Sequence, residues 1–164
     1  MNTYHPVVEI LVDRFGTSPE SLEPLHEQLL AYRESTGGLK EALLKHNVTS
    51  ENTFQQAMAN YFELEYRENF DDVPVVREYT EIIPIRYAKK NVFFPLKKES
   101  NTLTVAITNP ELSQPLDDLA RHFKCHIEPV LSHKQAVLDL INRAYDESSA
   151  STEEAVDQLD SDET

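Results

Sequence analysis

Cysteine and glycine are scarce in this chain, and tryptophan is absent. One cysteine, Cys125, and three glycines occur among 164 residues. A single cysteine excludes an internal disulfide and a cage of thiolates around a metal ion. Gly16, Gly37 and Gly38 do not form the G-x-x-x-x-G-K-[ST] loop that cradles nucleotide phosphates. The sequence therefore predicts no ATP hydrolysis by such a loop within these residues.

Basic residues are also few, since 15 Lys and Arg stand against 29 Asp and Glu, a net charge of −14. This balance argues against nucleic-acid binding and against adsorption to anionic lipid, because both need a basic surface. Eight of the acids and no base lie in residues 146–164, which contain one Leu, one Val and no aromatic residue. So little apolar area cannot offset the ordering of the backbone. We predict a disordered acidic linker over residues 147–164, with an ordinary solubilising tail as the alternative.

Long hydrophobic runs are missing as well. No apolar run approaches the roughly 18 residues that a membrane-spanning helix needs. The opening residues, MNTYHPVVEI, show no basic region followed by an apolar stretch, so no signal peptide is expected. Together with the low cysteine content, these features predict a cytoplasmic location.

The first 66 residues have the periodicity of short amphipathic helices. Ser18 and Ser50 are each expected to cap a helix, and Gly37-Gly38 is expected to end the first of the two. The apolar positions of these helices are Leu22, Leu25, Leu29 and Tyr32 in the first, and Phe54, Ala57, Met58 and Tyr61 in the second. An offset of 32 residues relates the two halves of the region. Two interpretations remain open, an internal repeat and a chance match.

The remainder changes from helical periodicity to a mixture of strands and helices. Residues 67–80 carry mixed charges around Asp71-Asp72 and Pro74, which predicts a connector across the surface. The predicted order is α-β-β-α-β-α. It consists of a helix after Pro84, strands over 92–96 and 102–107, a helix marked by apolar positions from 116 to 123, a strand over 126–131 and a last helix after Ser132. We predict an α+β fold with a helical subdomain (1–66), a connector (67–80) and a small three-stranded α/β sandwich (81–146), followed by the linker.

Candidate catalytic or metal-binding groups are few in the sequence. His122 and His126 are four residues apart, but the pattern places them on a helix and in a strand. Neighbours on a strand point to opposite faces, which favours Cys125 as a core residue rather than a nucleophile paired with His126. The acid pairs Asp71-Asp72 and Asp117-Asp118 have the pattern of solvated charges. We predict no catalytic residue and no metal site.

Three consecutive stretches resemble one protein family. They are LKEALLKHNVTSENTFQQAMANYFELEY, IIPIRYAKKNVFFPLKKESNTLTVAITNP and LDDLARHFKCHIEPVLSHKQAVLDLINRAY. They resemble the N-terminal domain of type II secretion and type IV pilus assembly ATPases, which is MshEN-related, over residues 38–145. The positions that carry the resemblance, all interpreted as structural, are Pro84, Pro95, Leu96, Val105, Ala106, Pro110, Glu128, Pro129 and Val130.

The resemblance implies a protein-interaction and regulatory domain without chemistry of its own. In the family this region attaches a cytoplasmic ATPase motor to an inner-membrane platform protein. The expected partners are the cytoplasmic domain of that platform protein and the C-terminal motor of the parent protein, with no direct membrane insertion and no nucleic acid. ATP and Mg would belong to the motor, and no cofactor is expected in this chain. A ligand-sensing module with an altered cyclic-dinucleotide site is the alternative, and a small enzyme is a third possibility.

Some members of the family bind cyclic di-GMP through a motif R-L-G-x-x-L-V-x-x-G. In this sequence Gly38 falls on the Arg position, Lys40 on the first Gly and Asn47 on the last Gly, while an earlier copy keeps only Gly16. The lost Arg would stack on guanine and bind phosphate, and the lost Gly would let the backbone approach the phosphates. We therefore predict that the chain does not bind cyclic di-GMP.

A partner surface is expected on the helical subdomain, which has more apolar positions than short helices can bury among themselves. Its apolar part is predicted to include Val8, Leu11, Leu29 and Leu30, with Glu9 and Asp13 at the rim. The acids would select a basic partner, mostly through the association rate. The alternative is that the apolar residues pack between the helical copies and against the α/β half.

Overall fold

The computed structural model of the chain describes residues 4–34 and 36–147. Contacts divide the chain into two compact units, Met1–Tyr66 and Arg67–Thr164. The first unit contains α1 (Pro6–Phe15), a 3-10 segment (Pro19–Leu25), α2 (His26–Ala31), α3 (Thr36–Lys45), α4 (Glu51–Phe62) and the two-residue strand β1 (Glu65–Tyr66). The second contains α5 (Arg77–Ile82), α6 (Ile85–Asn91), β2 (Phe93–Glu99), β3 (Thr102–Ile107), α7 (Gln114–Phe123), β4 (His126–Leu131) and a last helix, α8, over residues 134–147. The predicted α+β fold is confirmed.

The first unit is built around the packing of α1 on α4. Helix α1 begins with Pro6 at its first position, and the Nδ1 atom of His5 accepts a hydrogen bond from the Val7 N–H at 3.1 Å. Helix α4 begins at the predicted cap, since Ser50 Oγ accepts from the Thr53 N–H at 3.1 Å. Ser18, by contrast, makes no side-chain cap hydrogen bond. The predicted hydroxyl cap is therefore confirmed at Ser50 and wrong at Ser18.

The long helix expected after Ser18 is interrupted. It consists of the 3-10 segment followed by the six-residue α2, and Pro24 lies inside the 3-10 segment. Proline lacks an N–H and its ring clashes with the preceding turn, which prevents a continuous α-helix here. The Gly37-Gly38 pair does not end this helix either, because both glycines lie in α3.

The sheet of the second unit contains the three predicted strands in the order β4-β3-β2. Strands β2 and β3 form an antiparallel hairpin, with Phe93 opposite Ile107 and Glu99 opposite Thr102. Strand β4 runs parallel to β3, so Thr102 lies opposite His126. Strand β2 lies at the end of this order, as expected for a strand that contains Pro95, which cannot donate a backbone hydrogen bond. The ladder shifts its register directly after Pro95.

The predicted connector over residues 67–80 is not an exposed linker throughout. Phe70 and Tyr79 are buried, and α5 begins at Arg77. The Tyr79 ring makes edge contacts with Phe94 and Phe123, at centroid distances of 6.2 and 5.9 Å. Aromatic side chains bury large apolar areas, and two of them are enough to hold a mostly polar segment against the core. The prediction of a surface connector is therefore wrong for Phe70 and Tyr79.

Helix α8 also holds this segment. The Arg143 guanidinium donates to the backbone carbonyls of Phe70, Asp71 and Val73, at 2.9, 3.0 and 2.8 Å. Near the end of α8, the Tyr145 hydroxyl donates to the Ile83 carbonyl. The helix continues through residue 147, which the prediction assigned to the linker, and the rest of the predicted linker, residues 148–164, lies outside the described part of the chain. None of the helices described in residues 4–34 and 36–147 is both long and apolar enough to cross a bilayer.

Candidate functional site

The structure buries much of the predicted partner surface inside the first unit. Val8 and Leu11 belong to α1, which packs on α4, and Leu29 belongs to α2, which contacts α3. All three side chains are buried, whereas Leu30 is half-buried. The expectation that they form an exposed patch is therefore wrong, because the packing of α1 on α4 and of α2 on α3 covers these side chains. The rim residues Glu9 and Asp13 are exposed, and their contact with a partner stays a prediction.

An exposed aromatic group lies instead at the end of α4. Tyr61 is 41% exposed, and its ring makes edge contacts with the rings of Phe62 and His5, at centroid distances of 4.9 and 5.1 Å. Sequence reasoning placed Tyr61 on the buried face of its helix. The signal that could have found it is the hydroxyl group, which favours a position where one end of the side chain meets water.

Exposed acids give the first unit a negative surface. Residues 1–66 contain ten acidic and four basic side chains. The acids described between residues 4 and 34 are all exposed, and they are Glu9, Asp13, Glu20, Glu23, Glu27 and Glu34. A surface of one sign attracts partners of the opposite sign and raises their association rate. The described surface of the first unit therefore carries mainly negative charge.

The turn between α3 and α4 contains Asn47, which falls on the last position of the nucleotide motif in the alignment. Asn47 adopts a left-handed backbone conformation with φ of 56°, and the Val48 N–H donates to the Leu43 carbonyl at 3.0 Å. This geometry closes the end of a helix and is usually adopted by glycine. Helix α1 also ends at a left-handed residue, Gly16, with φ of 71°. Each predicted copy of the helical unit thus turns at a residue with positive φ.

Two further motif positions have defined surroundings. Lys40 forms an ion pair with Glu51 at 2.8 Å, and both side chains are half-buried. Glu51 is the first residue of α4, so the ammonium group of Lys40 lies beside the start of that helix. Cations and helix starts both attract phosphate groups. At Gly38, an added Cβ would lie 2.5 Å from the ring of Tyr32, so this position accepts no larger side chain without movement of the ring.

The remaining candidate groups lie in the second unit. His122 lies in α7 and His126 in β4, as expected, and no group of three His, Cys, Asp or Glu side chains within residues 4–34 and 36–147 is placed to hold a metal ion. Cys125 is half-buried rather than a core residue, and it borders a groove of about 380 Å³ between α7 and β4. A hydrogen bond from Arg121 holds the pKa of Asp118 below its usual value, which is typical of a surface ion pair.

A family model matches this arrangement of helices and strands. The MshEN domain model matches residues 49–151, more than half of the chain. The chain belongs to the MshEN domain family. No curated protein matches the sequence. The resemblance to the N-terminal domain of type II secretion and type IV pilus ATPases is confirmed, and the domain is similar to the regulatory part of those ATPases, not to their catalytic part.

Solved structures share the fold of this MshEN domain. MshE, solved with cyclic di-GMP, is 18% identical with a TM-score of 0.64, over 85% of this chain and 98% of that one. The N-terminal domain of XpsE is 20% identical with a TM-score of 0.60, over 87% of this chain and 98% of that one. A second crystal form of the XpsE domain gives 21% identity and a TM-score of 0.52. At these identities the likeness establishes the fold.

The MshE structure contradicts the prediction that cyclic di-GMP does not bind. A domain of the same fold is solved with this nucleotide. The prediction rested on the side chains at the motif positions, and it took Asn47 as the loss of a glycine. The backbone at Asn47 nevertheless keeps the left-handed conformation for which glycine is selected. The replacement of glycine by Asn47 therefore does not mean that the left-handed backbone conformation is lost.

Proposed function

We propose that this MshEN domain is a non-catalytic interaction domain of a secretion or pilus-assembly ATPase. Its first unit would attach the motor to the cytoplasmic domain of an inner-membrane platform protein. The parent protein would then lie in the cytoplasm and reach the membrane only through that partner. ATP and Mg would be bound by the motor and not by these residues.

The observation that carries this proposal is the exposed, acidic and aromatic surface of the first unit. Tyr61 is 41% exposed in a unit whose other large apolar side chains are covered to a greater extent among the described residues. Tyrosine is enriched among the residues that dominate the energetics of protein interfaces. The exposed acids Glu9 and Asp13 of α1 supply a charge that a basic segment of the partner would match.

The test measures binding of the 164-residue chain to the purified cytoplasmic domain of the platform protein encoded with its gene. We expect Tyr61→Ala to weaken binding by about 30-fold, since a central interface tyrosine contributes about 2 kcal/mol. We expect the double substitution Glu9→Gln and Asp13→Asn to slow association at low salt and to have little effect at high salt.

A matched control distinguishes an effect of the first-unit surface from an effect of net charge. Glu111→Gln with Glu128→Gln removes the same charge from exposed positions of the second unit. If this control and the first-unit variants bind alike, and Tyr61→Ala binds as the unsubstituted chain does, the first unit is not the docking surface.

We propose cyclic-dinucleotide binding by the first unit as a second function. It is supported by the MshE structure with cyclic di-GMP and by two local features of this chain. The turn at Asn47 keeps a left-handed backbone, and the ammonium group of Lys40, which is paired with Glu51, lies beside the start of α4. The nucleotide carries two phosphates, which a cation and the N–H groups of a helix start would bind.

Calorimetric titration of the chain with cyclic di-GMP tests this second function, with GMP as the control ligand. We expect saturable binding that Lys40→Met weakens by about 10-fold, whereas Lys45→Met, on the same helix and exposed, leaves it unchanged. An absence of saturable heat at millimolar nucleotide, or equal effects of the two substitutions, would contradict the proposed site.

A further inference from the structure

The second unit carries a basic surface on α6, although the chain as a whole is acidic. Arg86, Lys89 and Lys90 are exposed, and none of them forms an ion pair with another residue in the described ranges 4–34 and 36–147. Ile85 precedes them and is 38% exposed, which is unusual for a large apolar side chain in this structure. We call these four residues the basic face of α6.

Helix electrostatics explains only part of this charge. Lys89 and Lys90 lie in the last turn of α6, where the carbonyl end of a helix attracts cations. Arg86 lies in the first turn, where the N–H end repels a cation, and that turn contains no acidic residue. The arginine is therefore not placed to stabilise its own helix.

Acids near α6 are engaged elsewhere. Asp118 of α7 accepts a hydrogen bond from the Tyr87 hydroxyl at 3.3 Å, but this carboxylate is already paired with Arg121. Glu81 of α5 is paired with Arg77 at 3.2 Å. The positive charge of the basic face is thus not neutralised by these neighbouring carboxylates.

The end of α8 contacts the residues just before this helix. The Tyr145 hydroxyl donates to the carbonyl of Ile83, two residues before α6 begins, and the Tyr145 ring contacts the Phe94 ring at 5.8 Å. Helix α8 continues for only two described residues beyond Tyr145. Residue 147, the last described residue, therefore lies near the start of α6.

The composition of residues 148–164 matches the basic face. The segment contains six acids and no base, and its larger apolar residues are Val156 and Leu159. Its first acid, Glu153, comes six residues after residue 147, a distance of up to about 20 Å in an extended chain. The seven residues of α6 form a helix about 10 Å long, so the acids can reach its whole length.

We propose that residues 148–164 dock on the basic face of α6 in the same chain. The acids would pair with Arg86, Lys89 and Lys90, and Val156 or Leu159 would cover Ile85. Covalent attachment favours this occupant over a separate acidic molecule, because a short linker keeps the segment at an effective concentration of about millimolar.

Paramagnetic broadening in the full 164-residue chain tests this contact. A nitroxide on Ser161→Cys, in a Cys125→Ser background, is expected to reduce the amide signals of residues 85–90 by about twofold or more at low salt. At about 1 M salt the screening length falls to about 3 Å, and these signals should recover. The triple substitution Arg86→Ala, Lys89→Ala and Lys90→Ala should abolish the broadening while the helix is retained, because alanine is a strong helix former.

A control with the same change of net charge is Arg33→Ala, Lys45→Ala and Lys97→Ala, which should leave the broadening in place. Broadening that is absent at residues 85–90, that persists at high salt, or that survives the α6 triple substitution overturns the proposal. If the label leaves α6 unaffected while vesicles of phosphatidylglycerol shift the signals of residues 85–90, the basic face binds anionic lipid and the proposal is likewise overturned.

Discussion

The ring of Tyr32 lies against the backbone of Gly38, so that a Cβ added at Gly38 would be 2.5 Å from the Cδ1 atom of the ring. This approach joins the end of α2 to the first turn of α3. It explains why glycine lies inside a helix, where it usually costs stability relative to alanine. Gly38 was predicted to end one helix, but it allows the next helix to pack against Tyr32.

Gly38→Ala should destabilise the first unit. Inserting a methyl group into a packed contact usually costs about 1–3 kcal/mol, because side chains or backbone must shift. Gly37→Ala is the matched control: no atom lies within 4 Å of an added Cβ, and alanine should raise the free energy of unfolding by a few tenths to about 1 kcal/mol. Urea unfolding of the two variants measures the difference. Equal effects would show that the Tyr32 contact does not constrain this helix.

Val92→Gly should stabilise the second unit. Val92 ends α6 with φ of 48°, a left-handed conformation that costs a residue with a Cβ about 1–2 kcal/mol. Glycine removes this cost, which should exceed the loss of a half-buried side chain. Val48 is also half-buried but is not among the residues with positive φ, so Val48→Gly should lower stability. Unfolding midpoints in urea should move in opposite directions, and a loss in both variants would refute the strain at Val92.

The second unit was largely predictable because its signals are local. The alternation of Thr102–Ile107 and the broken run around Pro95 specify two strands without reference to the rest of the chain. The strand before the hairpin extends to Glu99, farther than expected, because Lys97 and Lys98 can point to solvent while their backbone pairs with β3.

Burial in the first unit was less predictable, because the exposure of its apolar side chains depends on which helices pack together. The spacing of Val8, Leu11 and Leu29 indicates an apolar face, but it does not say whether that face is covered. The packing of α1 on α4 decides the question and buries them. The prediction for Tyr61 is wrong in the opposite sense. Tyr61 has the helical spacing of a buried face, but it lies at the surface.

Arg143→Met should destabilise the second unit by about 3 kcal/mol. The substitution leaves the carbonyls of Phe70, Asp71 and Val73 without their charged donor, and a hydrogen bond to a charged group contributes about 1.5–3 kcal/mol. Arg121→Met is the matched control, because its ion pair is mostly exposed and should contribute less than about 1 kcal/mol. Thermal and urea unfolding measure both. Similar losses would mean that the three carbonyls find water instead.

The stability of the second unit should fall at high pH through Tyr145. Burial raises the pKa of Tyr145 to about 12 from an ordinary value of 10.0. The neutral hydroxyl is the form that donates to the Ile83 carbonyl, so the folded state holds this proton more tightly than the unfolded state. A raised folded pKa contributes stability that is fully present below pH 10 and is lost as the pH rises toward about 12. Burial also raises the pKa of Tyr79, so Tyr145→Phe should remove only part of the decline. Urea midpoints measured upward from pH 8 test this expectation, and an unchanged slope in Tyr145→Phe would show that the hydroxyl titrates alike in both states.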